Sequence, residues 1–156
     1  MEASEIMTTS PDCEIVTTRV FNAPRKLVYK AWTDPEHLKI WWGPKGFTNT
    51  FNVFDLKVGG RWSFVMHAPD KGNYRNECIF AVIREPELLV WNRHSKPLFQ
   101  VEVVFEEIAE NETKVIFKQK FETVEECNKI KRFTVGKNEE NMDRLENELK
   151  KMKNES

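Results

Sequence analysis

The chain has 156 residues, 40% of them apolar and 31% charged, with a formal net charge of −1. That is the make-up of an ordinary globular unit long enough to bury a core. No Lys/Arg cluster interleaves with aromatic residues, which argues against nucleic-acid binding. No apolar run approaches the ~20 residues of a membrane span.

Residues 1–12 carry little apolar content and no period, so a flexible tail is expected there, followed by a single domain over residues 13–153. The N-terminus lacks the basic-then-apolar pattern of a signal peptide, and a cytoplasmic protein is expected. Residues 13–21 alternate weakly and are rich in Val, Ile and Thr, which predicts a first strand. Pro24 opens a short helix to residue 32. Asp34-Pro35-Glu36 then supplies a cap and a first-position proline for a second helix, which stops at Gly43-Pro44. Strands are predicted at 46–56, 61–68, 73–84, 87–94, 98–108 and 113–121, and the turns between them are short enough to require antiparallel neighbours.

Thr123 and Glu126 form a capping box that starts the last element. Val124, Cys127 and Ile130, then Met142, Leu145, Leu149 and Met152, recur at helical spacing. Glu140 precedes Arg144 by four residues and Glu146 precedes Lys150 by four, an order that favours helix. A helix of about thirty residues is ~45 Å long, enough to cross a sheet whose strands span roughly 33 Å. Gly136 and the polar run 137–141 leave two shorter helices as the alternative. The order predicts an α+β fold: a curved antiparallel sheet of about seven strands wrapped around a long C-terminal helix, with two short helices between strands 1 and 2.

The candidate site residues follow from the faces of these elements. Trp41 and Trp42, before Gly43-Pro44, either stack on a ligand at a pocket mouth or pack the small helix on the sheet. Trp62, Phe64 and Met66 share a strand face and line either a cavity floor or solid core. Phe105 and Phe117 lie on comparable faces, and Trp91 sits in a strand whose orientation the sequence leaves open. Gln119 shares a face with Phe117 and Phe121, which makes it the leading inward polar group, either orienting a ligand or serving as a satisfied core amide. Met142 and Leu145 would close the cavity from the helix side. Glu77, Arg75 and Arg93 are further entrants with nothing to rank them.

Catalytic signals are scarce. His67 falls opposite the core face, His94 near a strand end, and His37 beside Glu36 where solvation is expected. Asp55 and Glu77 would make a carboxylate pair only if their strands met. The three histidines share no metal-ligand spacing, so neither metal nor cofactor is expected. Cys13, Cys78 and Cys127 are far apart and odd in number, which fits reduced thiols. Cys78, mid-strand, reads as a buried inert thiol, and no glycine pattern or nucleophile motif is present.

Several motifs together resemble one family. They are Phe21-Asn22-Ala23-Pro24-Arg25, Ala31-Trp32-Thr33-Asp34-Pro35-Glu36-His37-Leu38 and Trp41-Trp42-Gly43-Pro44-Lys45-Gly46-Phe47, followed by Gly59-Gly60-Arg61-Trp62 and Pro86-Glu87-Leu88-Leu89-Val90-Trp91. Over residues 13–153 the chain is similar to the small bacterial relatives of the activator of heat-shock protein 90 ATPase, within the START-like, helix-grip superfamily. The resemblance implies a sheet gripping the last helix and a cavity between them that takes apolar ligands in many members. One departure stands out. Members commonly carry a Gly-Trp pair shortly before the last helix's Leu-Asp-x-Leu, whereas here Lys137-Asn138 occupy that place and Met142-Asp143-Arg144-Leu145 follow. If that tryptophan plugs the cavity elsewhere, the resemblance implies a larger or wetter one here.

The expected function is non-catalytic binding of a small hydrophobic or amphipathic ligand between sheet and helix. A co-chaperone stimulating a heat-shock protein 90 ATPase in a stress response is the alternative, and a cyclase- or hydrolase-like enzyme using the same cavity is the second. The sequence leaves monomer and homodimer both open.

Overall fold

The structure, a computed structural model, describes residues 6–155. Seven strands form one antiparallel sheet: β1 (Glu14–Phe21), β2 (Thr48–Phe54), β3 (Arg61–His67), β4 (Asn73–Arg84), β5 (Leu88–Arg93), β6 (Gln100–Ala109) and β7 (Glu112–Lys120). Helices α1 (Arg25–Thr33) and α2 (Pro35–Trp41) stand between β1 and β2, and α3 (Val124–Glu155) closes the chain. The order across the sheet is β1-β7-β6-β5-β4-β3-β2. The first strand therefore pairs with the last, and β1 and β2 lie at opposite edges. Register shifts at Phe51/Val53, Phe80/Val82 and Glu107/Ala109 add residues that bend the sheet into a trough.

The trough is apolar because the strands alternate. Trp62 and Phe64 on β3, Leu89 and Trp91 on β5, Val101, Val103 and Phe105 on β6, and Val115 and Phe117 on β7 all face inward and are buried. That places Trp91, whose face the sequence left open, on the concave side with Leu89. Against this layer α3 buries Met142, Leu145, Leu149 and Met152, the predicted stripe. α1 and α2 plug one end around Trp32, whose ring touches Trp41, Trp42, Trp91, Phe105 and Phe117 at 4.7–6.3 Å between centroids. On the convex side Val82, Leu88 and Val90 form a smaller cluster covered by Ile6.

The caps read from sequence are present. The Thr123 hydroxyl accepts from the Glu126 amide at 3.1 Å, and the Asp34 carboxylate accepts from the Glu36 amide at 3.0 Å.

The helix α3 is the single long element expected, not the two shorter helices of the alternative: it is continuous through Gly136, because packing at Cys127 on one side and at Asn138–Leu145 on the other outweighs the ~1 kcal/mol that glycine costs within a helix. Three expectations change. The i,i+4 partners are diverted: Arg144 turns to backbone carbonyls of the α2–β2 connection, and Glu146 faces Arg19 at 3.5 Å. His37 is not solvated; its Nδ1 lies 2.7 Å from Oε2 of the buried Glu148 on α3. Of the expected tail, residues 1–5 lie outside the described residues. The rest is tied down: Met7 donates its amide to Gln100 and its carbonyl accepts from Lys120, and residues 11–13 form a 3-10 turn. Among the described residues no helix is long and apolar enough to cross a membrane, and no acidic, cysteine or histidine cluster could hold a metal ion.

Candidate functional site

The apolar stripe of α3 is interrupted. Between the buried Cys127 and Asn138, only Ile130 and Thr134 are even half-buried. The helix therefore bridges the mouth of the trough without filling it, and a cavity of about 220 Å³ remains beneath residues 134–141. An inner lobe of about 50 Å³ extends from it toward Phe64, Cys78, Trp91 and Val101. Both spaces are walled by Trp42, Asn76, Arg93, Phe99, Phe117 and Gln119.

Trp42 is held there from its backbone. It caps the C-terminus of α2, where helix carbonyls lack intrahelical donors. Three side chains supply donors: Asn49 to Lys39 and Trp42, Asn141 to Trp41, and the Arg144 guanidinium to Ile40, Trp42, Gly43 and Pro44 at 2.6–3.2 Å. A cation at that helix end also complements its dipole. Gly43 adopts φ +99° and a Cβ there would stand 2.8 Å from Met66 Cε, so only glycine lets this connection lie against β3. The consequence is that the Trp42 ring is fixed in the cavity wall; among the described residues its Nε1–H, like those of Trp32 and Trp62, is buried with no hydrogen-bond partner. A buried indole N–H usually finds one.

The polar wall has a definite sign. Asn138 donates to Gln119 Oε1 at 2.9 Å, tying α3 to β7. Arg93, on the concave face two residues beyond Trp91, donates Nε to the Ser95 carbonyl and Nη2 to the Lys96 carbonyl, with Cζ 5.6 Å from the Phe99 ring centre. Burial lowers its pKa from the usual value, but an arginine stays charged. Lys137 reaches the mouth. Among the described residues no aspartate, glutamate or histidine lines either space. The Cys78 thiol in the inner lobe is pushed up to about 12 by burial, so it stays protonated and is no nucleophile at neutral pH.

The sequence candidates divide. Trp42, Met66, Phe117 and Gln119 line the main cavity, and Phe64 and Trp91 line its inner lobe. Trp41, Trp62, Phe105, Met142 and Leu145 sit in packed core and line neither. Trp41 Nε1 donates to the Ala31 carbonyl at 2.9 Å, while Met142 and Leu145 fall under the part of α3 that packs directly on the sheet and α1–α2. His67 points outward between Thr50 and Asn73, and Glu77 is paired outside with Ser63 and Arg61. Sequence reasoning gave no role to Asn76, Thr134, Lys137, Asn138 or Asn141. The polar run 137–141 was the available signal, being the point where the apolar stripe fails.

A family model described as Activator of Hsp90 ATPase homolog 1-like protein matches residues 22–150, and no curated protein matches the chain. Among solved structures, a Nitrosomonas europaea protein superposes with TM-score 0.84 at 21% identity, covering 93% of this chain and 99% of that one. An Arthrobacter aurescens protein gives 0.82 at 25% identity, over 90% and 87%. The AHSA1 protein from Silicibacter pomeroyi gives 0.71 at 17%, over 87% and 96%. These likenesses establish the helix-grip fold.

Proposed function

This chain belongs to the Activator of Hsp90 ATPase homolog 1-like family, and from that premise we propose that it is a non-catalytic binding protein holding a small apolar or amphipathic molecule beneath α3. The observation that carries the reading is the cavity itself: about 220 Å³, with Trp42, Phe99, Phe117 and Met66 in its wall beside the polar Asn76, Gln119 and Asn138. A cavity of about 150 Å³ suffices for benzene, and drug-sized ligands need ~300 Å³ or more. The occupant is therefore one ring, or a short chain, with a small polar group. Trp42, Met66, Phe117 and Gln119 contact it, with Phe64 and Trp91 at the inner end. The wall offers hydrogen-bond donors and amides but no general acid or base, which weighs against the enzymatic alternative.

The test uses indole and toluene as probes, read by thermal shift and tryptophan fluorescence, with native mass spectrometry of protein purified without ligand removal. Binding should raise the melting temperature by several degrees at concentrations well above Kd and should change the emission of Trp42 and Trp91. The substitution Asn138→Trp, which places a large ring at the cavity wall, should abolish probe binding while the protein stays folded. No shift with either probe and no co-purified molecule would overturn the proposal.

The family description supports a second reading, stimulation of a heat-shock protein 90 ATPase. Saturating this protein against such an ATPase and measuring phosphate release tests it, and an unchanged rate removes it.

A further inference from the structure

We propose that the molecule held under α3 carries a carboxylate or similar small anionic group, which pairs with Arg93 at the inner wall while its apolar part lies on Phe117, Met66 and Trp42. This rests on the binding reading above and adds the charge of the ligand.

The argument starts from where Arg93 lies. It follows Leu89 and Trp91 on the concave face of β5 and lines both the main cavity and its inner lobe. Among the described residues it has no ion-pair partner, unlike Arg19 and Arg61, which pair with Glu139 and Glu77. Its hydrogen bonds, Nε to Ser95 and Nη2 to Lys96, go to neutral carbonyls of the β5–β6 turn. They orient the guanidinium without neutralising it. A half-buried cation with no counter-charge is costly unless a ligand supplies the charge. Among the described residues the main cavity is lined by two cations, Arg93 and Lys137, and by no carboxylate.

A carboxylate has the lone pairs to accept from the Arg93 N–H groups that the turn carbonyls leave unused. The Phe99 ring stacked at 5.6 Å from Arg93 Cζ keeps the guanidinium plane fixed, the pre-organisation that a bidentate carboxylate exploits. Arg93 and Phe99 also line an adjoining groove of about 210 Å³, whose wall includes Lys120 and Glu122; Glu122 makes no ion pair with Arg93 among the described residues. The dimensions fit an aryl or short acyl acid, not a long-chain lipid.

The experiment compares matched pairs, 4-phenylbutyrate with 4-phenylbutyramide and octanoate with octanamide, by calorimetric titration of the full chain. The acids should bind about ten- to hundredfold more tightly than their amides, the range of one charge-assisted pair. Arg93→Gln should erase that preference and leave amide binding within about twofold, Arg93→Lys should restore part of it, and Lys57→Gln, exposed at the β2–β3 turn away from the cavity, should change it less than twofold. Circular dichroism confirms that each variant is folded. If Arg93→Gln fails to fold, Arg93→Lys and a salt titration of wild-type binding read the same preference. Equal affinity for acids and amides would overturn the anionic assignment and leave the cavity reading standing. Failure of all four probes to bind would overturn both.

Discussion

At the scale of single residues, identical side chains do different work according to what the fold brings beside them. Trp41 and Trp42 are neighbours in sequence, yet one donates to Ala31 in the core and the other walls a cavity with its N–H unpaired. Arg144 on α3 and Arg19 on β1, which reaches across to α3, differ in what they hold. Arg19 meets three exposed carboxylates, and such pairs contribute about 0.5–1 kcal/mol. Arg144 satisfies four carbonyls at the end of α2, groups with few other donors. Arg144→Ala should therefore cost about 2–4 kcal/mol, several times the loss from Arg19→Ala, as measured by urea unfolding. Cys78 gives a pH signature. Its thiol is pushed from 9.0 up to about 12 by burial. Between those values the unfolded chain releases a proton that the folded chain keeps, so stability falls as pH rises. Cys78→Ala should flatten that alkaline limb in unfolding curves taken from pH 8 to 11, and in the native protein Cys78 should resist thiol reagents that label the half-exposed Cys13.

Among the elements, α3 is two helices in energetic terms and one in geometry. Its C-terminal half buries Met142, Leu145, Leu149 and Met152 completely, while its middle roofs the cavity with Thr134, Lys137 and Asn138. Leu145→Ala should cost about 3–4 kcal/mol, the range for a buried leucine. Phe133→Ser, at a side chain 68% exposed, should fall within about 0.5 kcal/mol of wild type. Amide exchange should follow the same division, with residues 128–137 opening at lower free energy than residues 141–152. A roof that opens more easily than the rest also widens the mouth through which a ligand enters. Thr123 and Asp34 show the opposite case, in which the element was fully specified locally. Their caps depend on residues two or three positions away, and the sequence displayed them without any tertiary information.

For the molecule as a whole, the sheet order makes folding depend on the ends of the chain. β1 pairs with β7 along Glu14–Phe21, and α3 packs on β1, α1 and α2. Neither the trough nor its plug is complete until the last residues arrive. Removing residues 140–155 should leave the concave aromatic face uncovered and abolish cooperative unfolding. The intact chain should lose tryptophan fluorescence and far-ultraviolet dichroism in one coincident transition.

The strand and helix order, the inward faces of every strand but that of Trp91 and the gripping arrangement were determined by the sequence alone, because periodicity, caps and turns are local and one apolar face per strand admits few ways of being covered. Of the eleven candidate site residues, the six that line the cavity and the five that fill the core have the same apolar or amide character in sequence. Only the tertiary structure separated them, since it alone shows where α3 lifts from the sheet. It also revealed the polar members of the wall. Arg93, Asn76 and Asn138 have no local pattern that points them inward, and their place follows from strand register, the trough's curvature and the angle at which one helix crosses it.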